Sequence, residues 1–187
     1  MPSELLPESV TNLLKSTRFL HLATCHENIP HVSLMNYTYF RDPESDYIII
    51  TTPRNTTKFE NIIANPNVSL LVHDWISAKA TTSQPEEIRE DTASTSSGRR
   101  NSLYELLTNL NKTEISSVSV MISGKAQILD QSSEKFDFYK SLHSNNSSID
   151  QNQAKNYIEC ADNALIVIKI EGCKVTDTDN NIQEYQK

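Results

Sequence analysis

The segment TTPRNTTKFENIIANPNVSLLV, residues 51–72, gathers small hydrogen-bond donors around one lysine. Thr51, Thr52, Arg54, Asn55, Thr56, Thr57 and Lys58 lie where an apolar run ends and a short amphipathic stretch begins. The first amide N–H groups of a helix have no intrahelical partner, and the helix dipole favours an anion there. Hydroxyls add donors at little steric cost, and the ammonium of Lys58 adds a point charge. Such a set would hold a phosphate. The plainer reading makes Thr56 or Thr57 an ordinary N-cap and Lys58 a solvated side chain. Other chemistry is sparse. The chain has no GxSxG, HExxH or P-loop pattern. His21, His26, His31, His73 and His143 show no metal-ligand spacing, so no metal is expected. Cys25 and His26 are adjacent in a turn, where their side chains diverge, which argues against a Cys/His nucleophile.

The elements that would position this segment follow from periodicity. Residues 3–17 have Leu5, Val10, Leu13 and Leu14 at helical spacing, with Ser3 or Ser9 as a cap. Strands are expected at 18–25, 31–40, 47–52, 67–75, 117–129 and 164–177. The nearly unbroken apolar run at 47–52 predicts burial on both faces. Short helices are expected from Lys58 to the Asn65-Pro66 stop, and after Ser132 or Ser133 with Phe136, Tyr139 and Leu142 inward. Short turns between the first three strands require antiparallel pairing. The expected fold is mainly β with peripheral helices, an antiparallel split or closed β-barrel that removes exposed sheet edges. The tail after the last strand reads as frayed.

At 187 residues and 37 % apolar content, the chain has room for one domain with a real core, expected to span 1–187. Residues 79–116 have loop composition and read as a polar, flexible insertion between two core strands. Within it, Leu103, Leu106, Leu107 and Leu110 share a helical face, and Arg99-Arg100-Asn101-Ser102 resembles a basophilic kinase site. A phosphate on Ser102 would sit favourably at the N-terminus of that helix. A net charge of −7 argues against a nucleic-acid partner. Three cysteines without a CxxC pair read as reduced thiols, which with no signal-peptide pattern implies the cytoplasm, with the nucleus as a further compartment. No apolar run approaches the ~20 residues of a membrane span.

The order of segments resembles the FMN-binding split-barrel family that includes the pyridoxamine 5′-phosphate oxidases. The matching pieces are L-A-T…P-H-V-S in the first hairpin, T-x-x-x-x-x-K ending at Lys58, N-P-x-V-S-L-L-V from Asn65, and G-K-A from Gly124. They cover residues 18–129 apart from the insertion. The resemblance implies FMN as cofactor, in a cleft between the two protomers of a homodimer. It implies that Ser33, Leu34, Met35, Asn36, Tyr37 and Thr38 run along the flavin. It implies a pair at the end of the third strand, Thr51 and Thr52, a phosphate clamp at Thr57 and Lys58, and Ser119 reaching the ring from the other subunit. Read from residue types alone, Tyr37 and Tyr39 share one strand face and fit a core.

The departures from the family are specific. The oxidases carry Arg-Lys where this chain has Thr57-Lys58, a loss for which Arg54 is the nearest compensation. They carry Gln at the position of Ser119. Their C-terminal Trp- and Arg-containing substrate motif has no match after Cys173, and Trp75 is the only tryptophan. Flavin-dependent oxidoreduction of a small molecule is therefore expected, and oxidation of pyridoxamine phosphate is not. The alternative is a non-catalytic binding or regulatory module working through the insertion. A heme-binding relative on the same scaffold is a weaker reading, because no histidine is placed as an axial ligand.

Overall fold

The computed structural model describes residues 6–74, 118–146 and 162–186. Three helices and eight strands occur there: α1 (Glu8–Ser16), β1 (Phe19–His26), β2 (Ile29–Asn36), β3 (Thr38–Arg41), β4 (Asp46–Pro53), α2 (Thr57–Ala64), β5 (Asn67–His73), β6 (Ser119–Ile128), α3 (Glu134–Asn146), β7 (Asn163–Thr176) and β8 (Ile182–Gln186). Trp75, Cys160, Ser102 and the 79–116 insertion lie outside the described residues.

All strands belong to one antiparallel sheet in the order β2-β1-β5-β6-β7-β4-β3, with β8 on the far part of β7. The two ends of that order, β2 and β3, are consecutive in sequence and joined through Tyr37. They are not paired with each other, so the sheet curls into a split barrel that the chain itself bridges. Six strands were expected and eight are found. The predicted strand at 31–40 begins at Ile29 and breaks at Tyr37, whose N–H bonds Arg18 O at 3.2 Å and whose ring turns inward. The tail is also not frayed. Asp177 Oδ1 accepts the N–H groups of Asp179 and Asn181 at 2.9 Å each, Asn180 takes φ 61°, and this turn folds β8 back onto β7. No serine caps α1, since Pro7 occupies its N-cap.

The barrel interior is filled by alternate residues: Leu20 and Leu22, Ile48 and Ile50, Leu70, Ile122, Ile166 and Ile168 are all fully buried. Each such side chain contributes roughly 1.5–3 kcal/mol. The β4 run is buried on both faces, as its composition predicts. Ile48 and Ile50 enter the barrel, while Ile49 packs with Leu165, Val167, Phe136 and Tyr139 under α3. Gly124 sits at a register shift in β6, where a Cβ would meet Ile168 Cγ2 at 2.7 Å and Lys169 O at 2.8 Å. Its place in the G-K-A motif is thus a packing requirement.

Candidate functional site

β4 ends at Pro53 and α2 begins at Thr57, so residues 54–56 make the corner. Thr56 is the N-cap residue, with extended backbone at φ −111° and ψ 147°, but its side chain caps nothing. Its hydroxyl donates back to Pro53 O at 2.9 Å and lies 3.2 Å from Thr52 Oγ1. The N–H groups of Phe59 and Glu60 bond Thr56 O, which leaves those of Thr57 and Lys58 at the open end of the helix. Thr57 is exposed and Lys58 half-buried. Among the described residues no acidic side chain pairs with Lys58. Its pKa is lowered, because burial penalises the ammonium.

α2 rests on β1 and β2. Asn65 Nδ2 donates to Cys25 O and Asn61 Nδ2 to Thr24 Oγ1, both at 3.1 Å. Those contacts move back along β1 as the helix is followed toward its start. Lys58, three residues before Asn61, shares that helical stripe. Leu22 pairs with Ser33 and Thr24 with His31 across the β1–β2 hairpin. His31 Nδ1 and Ser33 Oγ are both buried and have no hydrogen-bond partner. Buried polar atoms nearly always have one, so two orphans on one strand face need an explanation.

The expected flavin strand divides by strand alternation. Ser33 and the buried Met35 face inward with Leu22 and Leu20, while Leu34 and Asn36 face outward. Among the described residues β2 is an edge of the sheet, hydrogen-bonded only to β1. Tyr37 is committed to the core: its hydroxyl donates to Leu14 O at 2.9 Å and lies 2.6 Å from Thr17 Oγ1. Burial pushes the Tyr37 phenol up to about 12. Thr38 is buried on β3, 2.9 Å from His143 Nδ1. The pair at the end of β4 splits likewise. Thr52 faces the corner, and Thr51 shares the face of Ile49 on the α3 side. Arg54 does not point into the corner. Its guanidinium lies 5.6 Å from the centroid of the Phe59 ring.

Ser119 opens β6, half-buried, in register with His73 and Thr176. Pro66, just after α2, accepts a bond from Ala126 N at 2.8 Å. Ser119 is seven residues from Ala126, about 23 Å along the strand. It belongs to the outer sheet face, where Leu34, His21, Leu71 and Met121 stand in one cross-strand row. Leu34 is 61 % exposed, Leu71 40 % and Met121 42 %. His21, within that row, stacks on His73 with ring centroids 5.8 Å apart. Sequence reasoning missed this row and the buried, unpaired His31 Nδ1. The signal for His31 was its i, i+2 spacing to Ser33, which puts both on one face. Cys173 is buried and its thiol pushed up to about 11, chiefly by burial, so it is no nucleophile. Among the described residues no cluster of three metal-ligating side chains occurs, and no helix is long and apolar enough to cross a membrane.

Comparison with known proteins matches this architecture. The family model for pyridoxamine 5′-phosphate oxidase matches residues 6–177, well beyond the stretch carrying the sequence motifs. A Schizosaccharomyces pombe protein named as a pyridoxamine 5′-phosphate oxidase homolog is 35 % identical over 186 residues, covering 96 % of this chain and 90 % of the relative. Among solved structures, a heme-binding protein from Mycobacterium smegmatis superposes with TM-score 0.62 at 13 % identity, over 97 % of this chain and 59 % of that one. An FAD-binding protein from Mesorhizobium loti gives 0.56 at 15 % identity, over 95 % of this chain and 93 % of that one. The two structures share the split-barrel fold with this chain, and the family match and the yeast relative go further: the chain belongs to the pyridoxamine 5′-phosphate oxidase family.

Proposed function

We propose that the protein is a homodimeric FMN-binding flavoprotein that catalyses oxidation or reduction of a small molecule. The observation that carries this reading is the α2 corner: a helix start with no side-chain cap, beside a half-buried lysine that has no counter-charge among the described residues. Left as it is, the corner costs stability. A phosphate would accept from the Thr57 and Lys58 amides, take the Lys58 charge and restore what burial costs that ammonium.

The residues present fit such a group. The Thr57 and Lys58 amides and the Lys58 ammonium offer donors at the corner, and Glu60, the acidic residue of the first turn of α2, is exposed. The flavin ring would supply the two-electron chemistry, which needs no protein nucleophile and accords with the lack of one in the sequence. Edge strand β2 would bind the flavin through backbone groups, and Met35 would give an apolar wall. The exposed row of Leu34, Leu71 and Met121 is what a second copy would cover, and a second copy is also what would bring Ser119 to the ring. Relatives on this fold bind FAD in one case and heme in another, so the cofactor class is the decisive measurement. The visible spectrum of freshly purified protein, with the mass of any small molecule released on denaturation, should show flavin bands and FMN. A Soret band, or wild-type protein that neither carries nor takes up FMN, would overturn the reading. Light scattering should give twice the chain mass.

A further inference from the structure

The outer face of the sheet concentrates exposed apolar surface. Of the nine large hydrophobic side chains left exposed among the described residues, six share that face: Phe19 on β1, Val32 and Leu34 on β2, Leu71 on β5, Met121 on β6 and Ile182 on β8. A contiguous patch of this kind marks an interaction surface. Its charges say what kind of partner fits. Lys174 and Glu184, at the β7–β8 end, pair with each other at 3.4 Å. Lys125, Lys169 and Glu171 lie beyond the register shift at Gly124. An acidic or basic partner would gain no ion pair at the patch itself. A second copy of this chain suits it, because a two-fold contact sets the same patch against itself and here opposes no like charges. The titratable side chains inside the patch are His21 and His73. Both are half-buried, and their rings stack with 5.8 Å between centroids and 15° between planes. His21 stands between Leu34 and Leu71, and His73 opposes Ser119. The His73 Nδ1 is buried without a hydrogen-bond partner. The charged residues next to the pair in sequence are Arg18 and Asp74, and Asp74 Oδ1 accepts from Val118 N at 2.7 Å.

We propose that the stacked His21–His73 pair is a proton switch on self-association: two copies close over it while both imidazoles are neutral, and protonation opens the contact. This rests on the homodimer of the reading above and adds to it a surface and a control. Imidazole is the side chain that ordinarily changes charge between pH 5 and 8. Two imidazolium rings at stacking distance repel each other, and a second copy laid over them removes the water that screens the repulsion. In the separated chain the rings keep contact with water and take up protons more readily. The separated form therefore binds more protons, so association is full above the ordinary imidazole range and is lost as pH falls through it.

Sedimentation of the full chain at pH 7.5 and 5.5, with far-UV circular dichroism at both, tests this. The wild-type dimer dissociation constant should rise about a hundredfold at the lower pH, from one proton per chain at about tenfold each. The circular dichroism should not change. The double variant His21→Gln, His73→Gln should stay dimeric at both pH values. Leu71→Asp, an exposed substitution beside the pair, should be folded and monomeric at both. A wild-type dimer indifferent to pH, or a double variant that keeps the wild-type pH dependence, would overturn the switch and leave the homodimer standing. A Leu71→Asp dimer as tight as wild type would put the contact on another face and overturn it too. Loss of the circular dichroism signal at pH 5.5 would make the dissociation an unfolding, with the same consequence. Wild-type protein that is monomeric at pH 7.5 removes the homodimer first, and the switch with it.

Discussion

Two corners of this molecule are built alike and finished differently. In each, a short helix lies against strands that carry polar side chains. At the α1 corner the buried charge is paired. Asp46 is fully buried, and its Oδ1 accepts from Tyr39 at 2.5 Å and from Arg41 Nε at 2.6 Å. Arg41 also reaches Thr11 Oγ1 on α1 at 3.1 Å. At the α2 corner the helix start is uncapped and Lys58 has no acidic partner among the described residues, and on β2, against which α2 packs, His31 and Ser33 each bury an unpaired atom. A fold that pairs the buried charge at one corner leaves the lysine of the other without an acidic partner among the described residues. The open one is where the proposed phosphate would sit, because an additional acceptor would satisfy it.

The contrast is sharpest at Asp46. Asp46→Ala leaves the Arg41 guanidinium and the Tyr39 hydroxyl without their acceptor. Breaking a buried pair from one side costs about 3–5 kcal/mol. For a chain of this size that lowers Tm by roughly 6–20 °C. Calorimetry should show the loss, and FMN affinity of the remaining folded protein should be unchanged. A variant as stable as wild type would mean that the α1 network is decorative, and the comparison would lose its reference.

His143 extends the finished side. Its Nδ1 bonds Thr38, and burial pushes its pKa down to about 4 from the ordinary 6.5. A depressed folded-state value means that the unfolded chain binds the proton more readily. The stability His143 contributes is full above pH 6.5 and is lost as pH falls toward 4. The loss is on the order of 3 kcal/mol. Urea melts at pH 7, 5.5 and 4.5 should show it, and His143→Gln should flatten that part of the profile. An unchanged slope in the variant would place the acid sensitivity elsewhere.

Much of this was legible in the sequence, and what was not has physical reasons. The β4 run showed its double burial because isoleucines on both faces leave no polar side to misread. The α2 corner was visible because hydroxyls, an arginine and a lysine cluster beside an amphipathic stretch. The break at Tyr37 was hidden. It depends on Leu14 O and Thr17, about twenty residues away, and a β-rich sequence around it reads as one strand. β8 was hidden because its side chains are mostly exposed and carry no alternation, so its pairing rests on backbone bonds and the Asp177 turn. At the site, composition identified Lys58 and could not show that Arg54 turns to Phe59, nor that Thr51 and Thr52 face opposite ways. Those are consequences of packing and strand alternation combined.

On the open side, Lys58→Ala separates ligand from fold. A hydrogen bond to a charged group is worth about 1.5–3 kcal/mol. FMN affinity should fall roughly ten- to a hundredfold, read by titration. Thermal stability of the ligand-free protein should hold or rise slightly, since a half-buried, unpaired ammonium is removed. A large drop in ligand-free Tm would show that Lys58 is structural and the corner already closed.

The smallest effect is the most discriminating. Thr56 turns its hydroxyl back to Pro53 O and leaves α2 uncapped. Thr56→Asp installs a carboxylate where a cap belongs and where the dipole favours negative charge, worth about 1 kcal/mol or less to the ligand-free protein. The same carboxylate would occupy the donors a phosphate needs and repel it. The variant should therefore melt a few degrees higher without FMN and bind FMN more weakly, by several fold. Stability and affinity move in opposite directions only if the uncapped helix start is the receptor. Were both to rise, the phosphate would have to lie elsewhere, and the open corner would be an unfinished helix end with no ligand of its own.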